Sequence, residues 1–256
     1  MLGIETNETN LVEPADEERV VHLLASFPSL EDLTCDILSP SPPTVPRALH
    51  PPTLSLECLS TYEASGAPFP LPSEQAGASS HPLPPLFTIA HPPRLTALLV
   101  AAVPGRCAAL AWLQQSPFDN LSLLSLTVSS FPLQNLLPTI STILGRLPSL
   151  HHLQLHDDLG TWGETLEVSR PNDLALFRQL FLSFPPTLEK AEILYGFDLS
   201  PSSVTSYFLS VVPPSLQRID IKRRVQTGDR ARWAPEEWER RPQGEWAIMV
   251  DSDEDE

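Results

Sequence analysis

The chain has 256 residues, 41% of them hydrophobic, which is enough to bury one or two substantial cores. A formal charge of −16 excludes nucleic acid as the expected partner, because phosphate binding selects clusters of Lys and Arg, and it favours solubility. The 29 prolines, against a usual share of about one residue in twenty, require regular segments to be short and often interrupted.

The first eighteen residues have neither a basic start nor an apolar run, so they do not read as a secretory signal. A helix is predicted over Ala15 to Phe27, with acidic residues in its first turn and Val20, Val21, Leu23, Leu24 and Phe27 as its apolar face. "FPSLEDLTCDI" follows from Phe27 and fits an L-x-x-L-x-L unit with Cys35 in the third place, the spacing expected of a short strand with buried alternate positions. Related segments recur down the chain: "HPPTLSLECLS" from His50 (degraded), "PPRLTALLVAA" from Pro92, "FDNLSLLSLTV" from Phe118 and "LPSLHHLQLHD" from Leu147. The last two are "PPTLEKAEILY" from Pro185 and "PPSLQRIDIKR" from Pro213.

With the first leucine of each unit as anchor, the anchors fall at Leu30, Leu54, Leu95, Leu121, Leu150, Leu188 and Leu216. Two long gaps hold insertions, a Gly-, Pro- and Ser-rich stretch over 64–85 and "DDLGTWGETLEVSRP" over 157–171. Between anchors the pattern predicts helices over Arg106–Gln115, Leu133–Leu147, Asn172–Phe184 and Ser202–Val212, with a kink or delayed start at Pro138. The stretch Leu95 to Leu113 is apolar but broken by Pro104, Gly105 and Arg106, so no membrane span is expected.

These proline-led "PPxLxxLxL" units resemble the leucine-rich-repeat family, and more narrowly fungal F-box/leucine-rich-repeat proteins, over about residues 27–225. The resemblance implies an irregular α/β solenoid, with short parallel strands on the concave side and helices outside. Residues 1–26 would form an N-terminal segment and capping helix, 226–250 a C-terminal cap covered by tryptophans, and 251–256 a disordered acidic tail. It also implies recognition of substrates for a ubiquitin ligase, through a Skp1-like adaptor if a longer form exists. No proline-led apolar F-box segment precedes Leu30, so the chain is read either as lacking that module or as a piece of a longer protein.

In such a unit the leucines point inward and the residues between and after them point outward. The outward, partner-binding set is then Asp32, Thr34 and Asp36; Ala97, Leu99 and Ala101; Leu123, Ser125 and Thr127; His152, Gln154 and His156; Lys190, Glu192 and Leu194; and Arg218, Asp220 and Lys222. This face runs from acidic through apolar to mixed and basic, and fits a protein or peptide rather than a metabolite.

"LPSLHHLQLHDD" invites a metal site, but His152 and His156 stand roughly 13 Å apart along a strand, too far to share one ion, with His151 on the other side. No metal, cofactor or catalytic residue is therefore expected. No phosphate-binding loop, dinucleotide fingerprint, zinc-protease helix or nucleophile elbow is present, and the chain is not expected to be an enzyme. The rivals are a truncated family member with no ligase role, and a hydrolase on an irregular α/β fold using Ser125 or His152. Cys35, Cys58 and Cys107 form no C-x-x-C and cannot all pair, which points to a reducing compartment, cytoplasm or nucleus, and a monomer is expected. Ser252, ahead of Asp253, Glu254 and Asp255, resembles an acid-directed kinase site.

Overall fold

The structure is a computed structural model that describes residues 2–3, 31–37, 56–63, 92–102, 108–128, 133–157, 167–168, 171–227 and 230–249. The helix expected over 15–27, the insertion over 64–85 and the acidic tail with Ser252 lie outside these residues. The protein is mixed α/β with predominantly parallel strands, and it divides into two compact units, residues 1–123 and 124–256.

In the first unit β1 (Leu2–Gly3), β2 (Asp32–Ile37), β3 (Cys58–Glu63) and β4 (Ala97–Ala102) pair in that order, all parallel. Leu33 pairs with Leu59 and Leu59 with Leu98, and all three are buried. This register corrects the second anchor. Leu56, fully buried, stands where Leu95 stands in its unit, so the anchor is not Leu54. The physical cue is the three-residue step from Leu56 to the buried Leu59, which Leu54 cannot make. Helix α1 (Ala108–Gln115) follows β4 and buries Ala109 through Leu113, with Trp112 meeting Phe118 edge-on at 4.8 Å between ring centroids.

The second unit opens with β5 (Leu123–Val128), α2 (Leu133–Leu144), β6 (His152–Asp157), β7 (Glu167–Val168), α3 (Pro171–Leu182) and β8 (Lys190–Phe197). A short α4 (Pro201–Val204) then runs directly into a π-helical turn, Thr205–Leu209. β9 (Arg218–Thr227), β10 (Arg230–Arg240) and β11 (Trp246–Ile248) close the unit. The sheet order is β5, β6, β8, β9, β10, β11, with the two-residue β7 also on β8. β6, β8 and β9 are parallel, whereas β10 and β11 are antiparallel. The C-terminal segment therefore adds antiparallel strands to the sheet.

Several of the prolines serve one recurring turn. In the five units where this turn is described, the N–H of the anchor leucine donates to the carbonyl three residues earlier: Leu95 to Pro92, Leu121 to Phe118, Leu150 to Leu147, Leu188 to Pro185 and Leu216 to Pro213. The second turn position is Pro93, Pro148, Pro186 or Pro214, and Asp119 in the remaining case. A ring that presets φ near −65° suits that position, so these prolines start strands instead of breaking them. After the turn, one carbonyl accepts two successive amides of the next unit. Glu31 O takes Glu57 and Cys58, Glu57 O takes Thr96 and Ala97, His151 O takes Glu189 and Lys190, and Glu189 O takes Gln217 and Arg218.

Two expected features differ, and one strand carries an insertion. Helix α2 runs unbroken through Pro138 rather than starting after it, although the Gln134 carbonyl loses its helical donor there. Its buried stripe of Leu136, Leu137, Ile140, Ile143 and Leu144 has helical spacing, and the packing energy of that stripe outweighs one missing bond. The last predicted helix changes to π geometry after Val204. Its start is fixed by Ser200, whose hydroxyl accepts from the Ser203 amide at 3.2 Å, with Pro201 in the first turn. β8 carries two extra residues relative to β9 between Ile193 and Gly196. Two extra residues preserve the alternation, so Tyr195 and Phe197 both face the core with Phe177, Phe181 and Phe208, at ring separations of 4.9–5.3 Å.

β10 turns into β11 through Arg241–Glu245, where Gly244 adopts φ +87°, a left-handed conformation open to glycine at little cost. The Arg240 amide points to β9, bonding Gln217 O, while Glu237 O accepts the Met249 amide on the opposite side. By strict alternation the next position of β10 on that side is Pro235, which has no N–H to donate.

Candidate interaction face

The repeat places one side of each strand in the core and leaves the other outside. In every unit the described leucine-type positions are buried: Leu33; Leu56 and Leu59; Leu95, Leu98 and Val100; Leu121, Leu124 and Leu126; Leu150, Leu153 and Leu155; Leu188, Ala191 and Ile193; Leu216, Ile219 and Ile221. The intervening positions form the candidate face, and each compact unit presents its own.

In the first unit Asp32 and Thr34 are exposed, Leu99 and Ala101 are half-buried, and the side chain of Asp36 lies outside the described residues. The mis-set second anchor hid a whole row of this face. Cys58, Ser60 and Tyr62 stand between Asp32, Thr34 and Asp36 on one strand and Ala97, Leu99 and Ala101 on the other. Cys58 is a free thiol, pushed above its ordinary value by burial and then by the Asp32 carboxylate opposite it.

In the second unit Ser125 occupies an outward position but is only 8% exposed. It is corrected from a surface contact to a covered one, because a hydroxymethyl group is too short to rise above its neighbours. The half-buried His152, Gln154 and His156 line β6, opposite Lys190, Glu192 and Leu194 of β8. Beyond β8 come Arg218 and Asp220 of β9, then Glu239 and Glu237 of β10.

Glu192 is the hub of this face. Lys190 Nζ donates to its Oε1 at 2.6 Å, His152 Nε2 lies 3.0 Å from the same oxygen, and Gln154 Nε2 donates to Oε2 at 3.2 Å. His156 Nε2 approaches Oε2 at 3.6 Å. Burial pushes this carboxyl up, but the hydrogen bonds from Lys190, Gln154 and His152 and the Lys190 charge outweigh it and hold it at about 2. The two histidines are thus not independent, as strand spacing alone implied. The carboxylate opposite Gln154 lies diagonal to both, and each ring leans toward it. His151 is exposed just before β6, with Nδ1 3.3 Å from Glu189 Oε1.

The basic end of the face is neutralised from within. Arg218 Nη2 lies 2.7 Å from Glu237 and its Nε 3.5 Å from Asp220, which Lys190 approaches at 3.8 Å. Sequence reasoning missed Glu237, because nothing in the leucine spacing predicts an antiparallel strand beside the last repeat. The expected acidic-to-basic gradient therefore becomes, in the second unit, a lattice of alternating charges.

Among the described residues no three His, Cys, Asp or Glu side chains are grouped to hold a metal ion, and no helix is long and apolar enough to cross a membrane. Comparison with protein-family profiles, with curated proteins and with solved structures gave no match.

Proposed function

We propose that the chain is an irregular leucine-rich-repeat protein that recognises a protein or peptide, without catalysis, through the outward strand faces of its two units. The observation that carries this reading is the recurrence, unit after unit, of the same proline-led turn, the same doubly accepting carbonyl and the same alternation of buried and outward residues. A scaffold that repeats its core while varying its outward residues presents extended surface rather than a pocket, and extended surface suits macromolecular partners. The engagement of His152 Nε2 by Glu192 supports a binding role over the hydrolase alternative, since that nitrogen is the atom a nucleophile would need.

The test is affinity purification of the tagged chain with three forms compared. One is unchanged, one carries Asp32→Arg and Thr34→Arg on the face, and one carries Gln115→Arg and Gln179→Arg on helices. A protein retained by the first and third forms and lost from the second supports the reading. Loss from both variants, or the same proteins on all three, overturns it. A Skp1-like adaptor among the retained proteins extends the reading to a ubiquitin-ligase substrate receptor.

A further inference from the structure

The same backbone contact marks equivalent places in the two units: Glu31 O accepts the Glu57 and Cys58 amides, and His151 O accepts those of Glu189 and Lys190. In the second unit His151 and Glu189 meet at 3.3 Å, and the carboxylates of Glu192 and Glu237 are matched by Lys190 and Arg218. In the first unit the equivalents of His151 and Glu189 are Glu31 and Glu57, two like charges at the heads of neighbouring strands. Asp32 adds a third carboxylate opposite Cys58, and all three acidic residues are exposed. Arg94, the one Lys or Arg among the described residues of this unit, pairs with none of them. Like charges on adjacent strands destabilise a sheet, and the turn here uses the backbone carbonyls of Glu31 and Glu57, not their side chains.

Beside this charge the face is low and apolar. Asp32, Cys58 and Ala97 form one row across β2, β3 and β4, and Thr34, Ser60 and the half-buried Leu99 form the next, with Ala101 beyond Leu99. The carboxylates are not grouped to hold one metal ion, so they call for cations spaced along a larger ligand. We propose that this face binds a basic, extended segment of a partner protein, with Lys or Arg side chains on Glu31, Asp32 and Glu57 and an apolar side chain on Leu99. The inference rests on the recognition reading above and adds the chemistry of the partner. Two sheet spacings separate β2 from β4 by about 10 Å, and an extended chain crossing them covers about 3.3 Å per residue. The apolar residue of the segment therefore lies about three positions from its nearest cation. Charge of one sign on the face selects the segment and sets its direction, whereas the second unit, matched internally, makes no such selection.

The test is selection of a phage-displayed library of random peptides on the full chain, followed by the affinities of the selected peptides for three forms. The unchanged chain is compared with Asp32→Asn plus Glu57→Gln on the face, and with Asp119→Asn plus Glu245→Gln, exposed elsewhere, which alters net charge equally. Peptides with Lys or Arg about three positions from an apolar residue should be enriched. They should bind the face variant at least about tenfold more weakly, and the control within about twofold of the unchanged chain. Equal loss on both variants means general attraction to an acidic chain and overturns the proposal. Enrichment of neutral or acidic peptides overturns it too; if Asp32→Arg with Thr34→Arg abolishes their binding, the recognition reading stands without it. No enrichment, or peptides indifferent to every face substitution, overturns both.

Discussion

Gln154 and Glu192 stand directly opposite each other on adjacent parallel strands, and the amide of the first donates to the carboxylate of the second at 3.2 Å. That pairing fixes the carboxylate midway between the rings of His152 and His156, with Lys190 closing it from its own strand. Four side chains from two repeats, spaced by the sheet, converge on one anion.

Glu192→Gln removes the charge that organises this cluster and leaves Lys190 without its closest partner, at an expected cost of about 1–3 kcal/mol at neutral pH. The pH dependence has a definite sign. The carboxyl is held at about 2 in the folded protein against 4.5 ordinarily, so the unfolded chain binds more protons between those values. Its stabilising contribution is full above the ordinary value and is lost as pH falls toward 2. Urea melts at several pH values should show the unchanged protein losing more stability than the Gln variant across this acid range.

Leu153→Asp and His152→Ala alter neighbouring residues on opposite faces of β6. Leu153 is fully buried, and an aspartate there strands a charge in the core, costing upwards of about 4 kcal/mol and unfolding the unit. His152→Ala removes one exposed-side bond to Glu192 and should cost about 1 kcal/mol. Thermal melts of both variants check the register, which a reversal of the two effects would disprove.

Arg223 and Glu236 occupy core-side positions at the end of the sheet, 15% and 11% exposed, joined by two parallel bonds. Removing either partner alone leaves an almost buried charge unmatched, so Arg223→Ala and Glu236→Ala should each cost about 3 kcal/mol. The double variant should cost markedly less than the sum of the two. Chemical denaturation of all four forms gives the coupling energy directly, and additive effects would show that the pair is not a unit.

Pro138→Ala should stabilise the protein, because it restores an amide to the Gln134 carbonyl and removes a ring from the interior of α2. The expected gain is about 1–3 kcal/mol, read as a higher melting temperature. A lower one would mean that the ring packs against something the alanine cannot replace.

Much of the local structure is legible in the sequence. The spacing from Leu150 to Leu153 to Leu155 dictates which side of β6 is buried, since apolar side chains leave water together and a strand alternates with period two. The same rule located Leu188, Ala191 and Ile193 and Leu216, Ile219 and Ile221, along with the helices between anchors. It failed at the second unit, whose anchor is Leu56 and not Leu54, since only Leu56 makes the three-residue step to the buried Leu59.

What the leucine pattern could not contain is which outward residues meet. His152, His156 and Glu192 lie up to 40 residues apart, and their convergence depends on parallel register between β6 and β8. The neutralisation of Arg218 by Glu237 depends on an antiparallel strand that no repeat announces. The sequence by itself determined the periodic core and its turns, because burial and proline geometry act over a few neighbouring residues. Only the tertiary structure decided the charge lattice, because electrostatic partners are set by distance through the sheet and not along the chain.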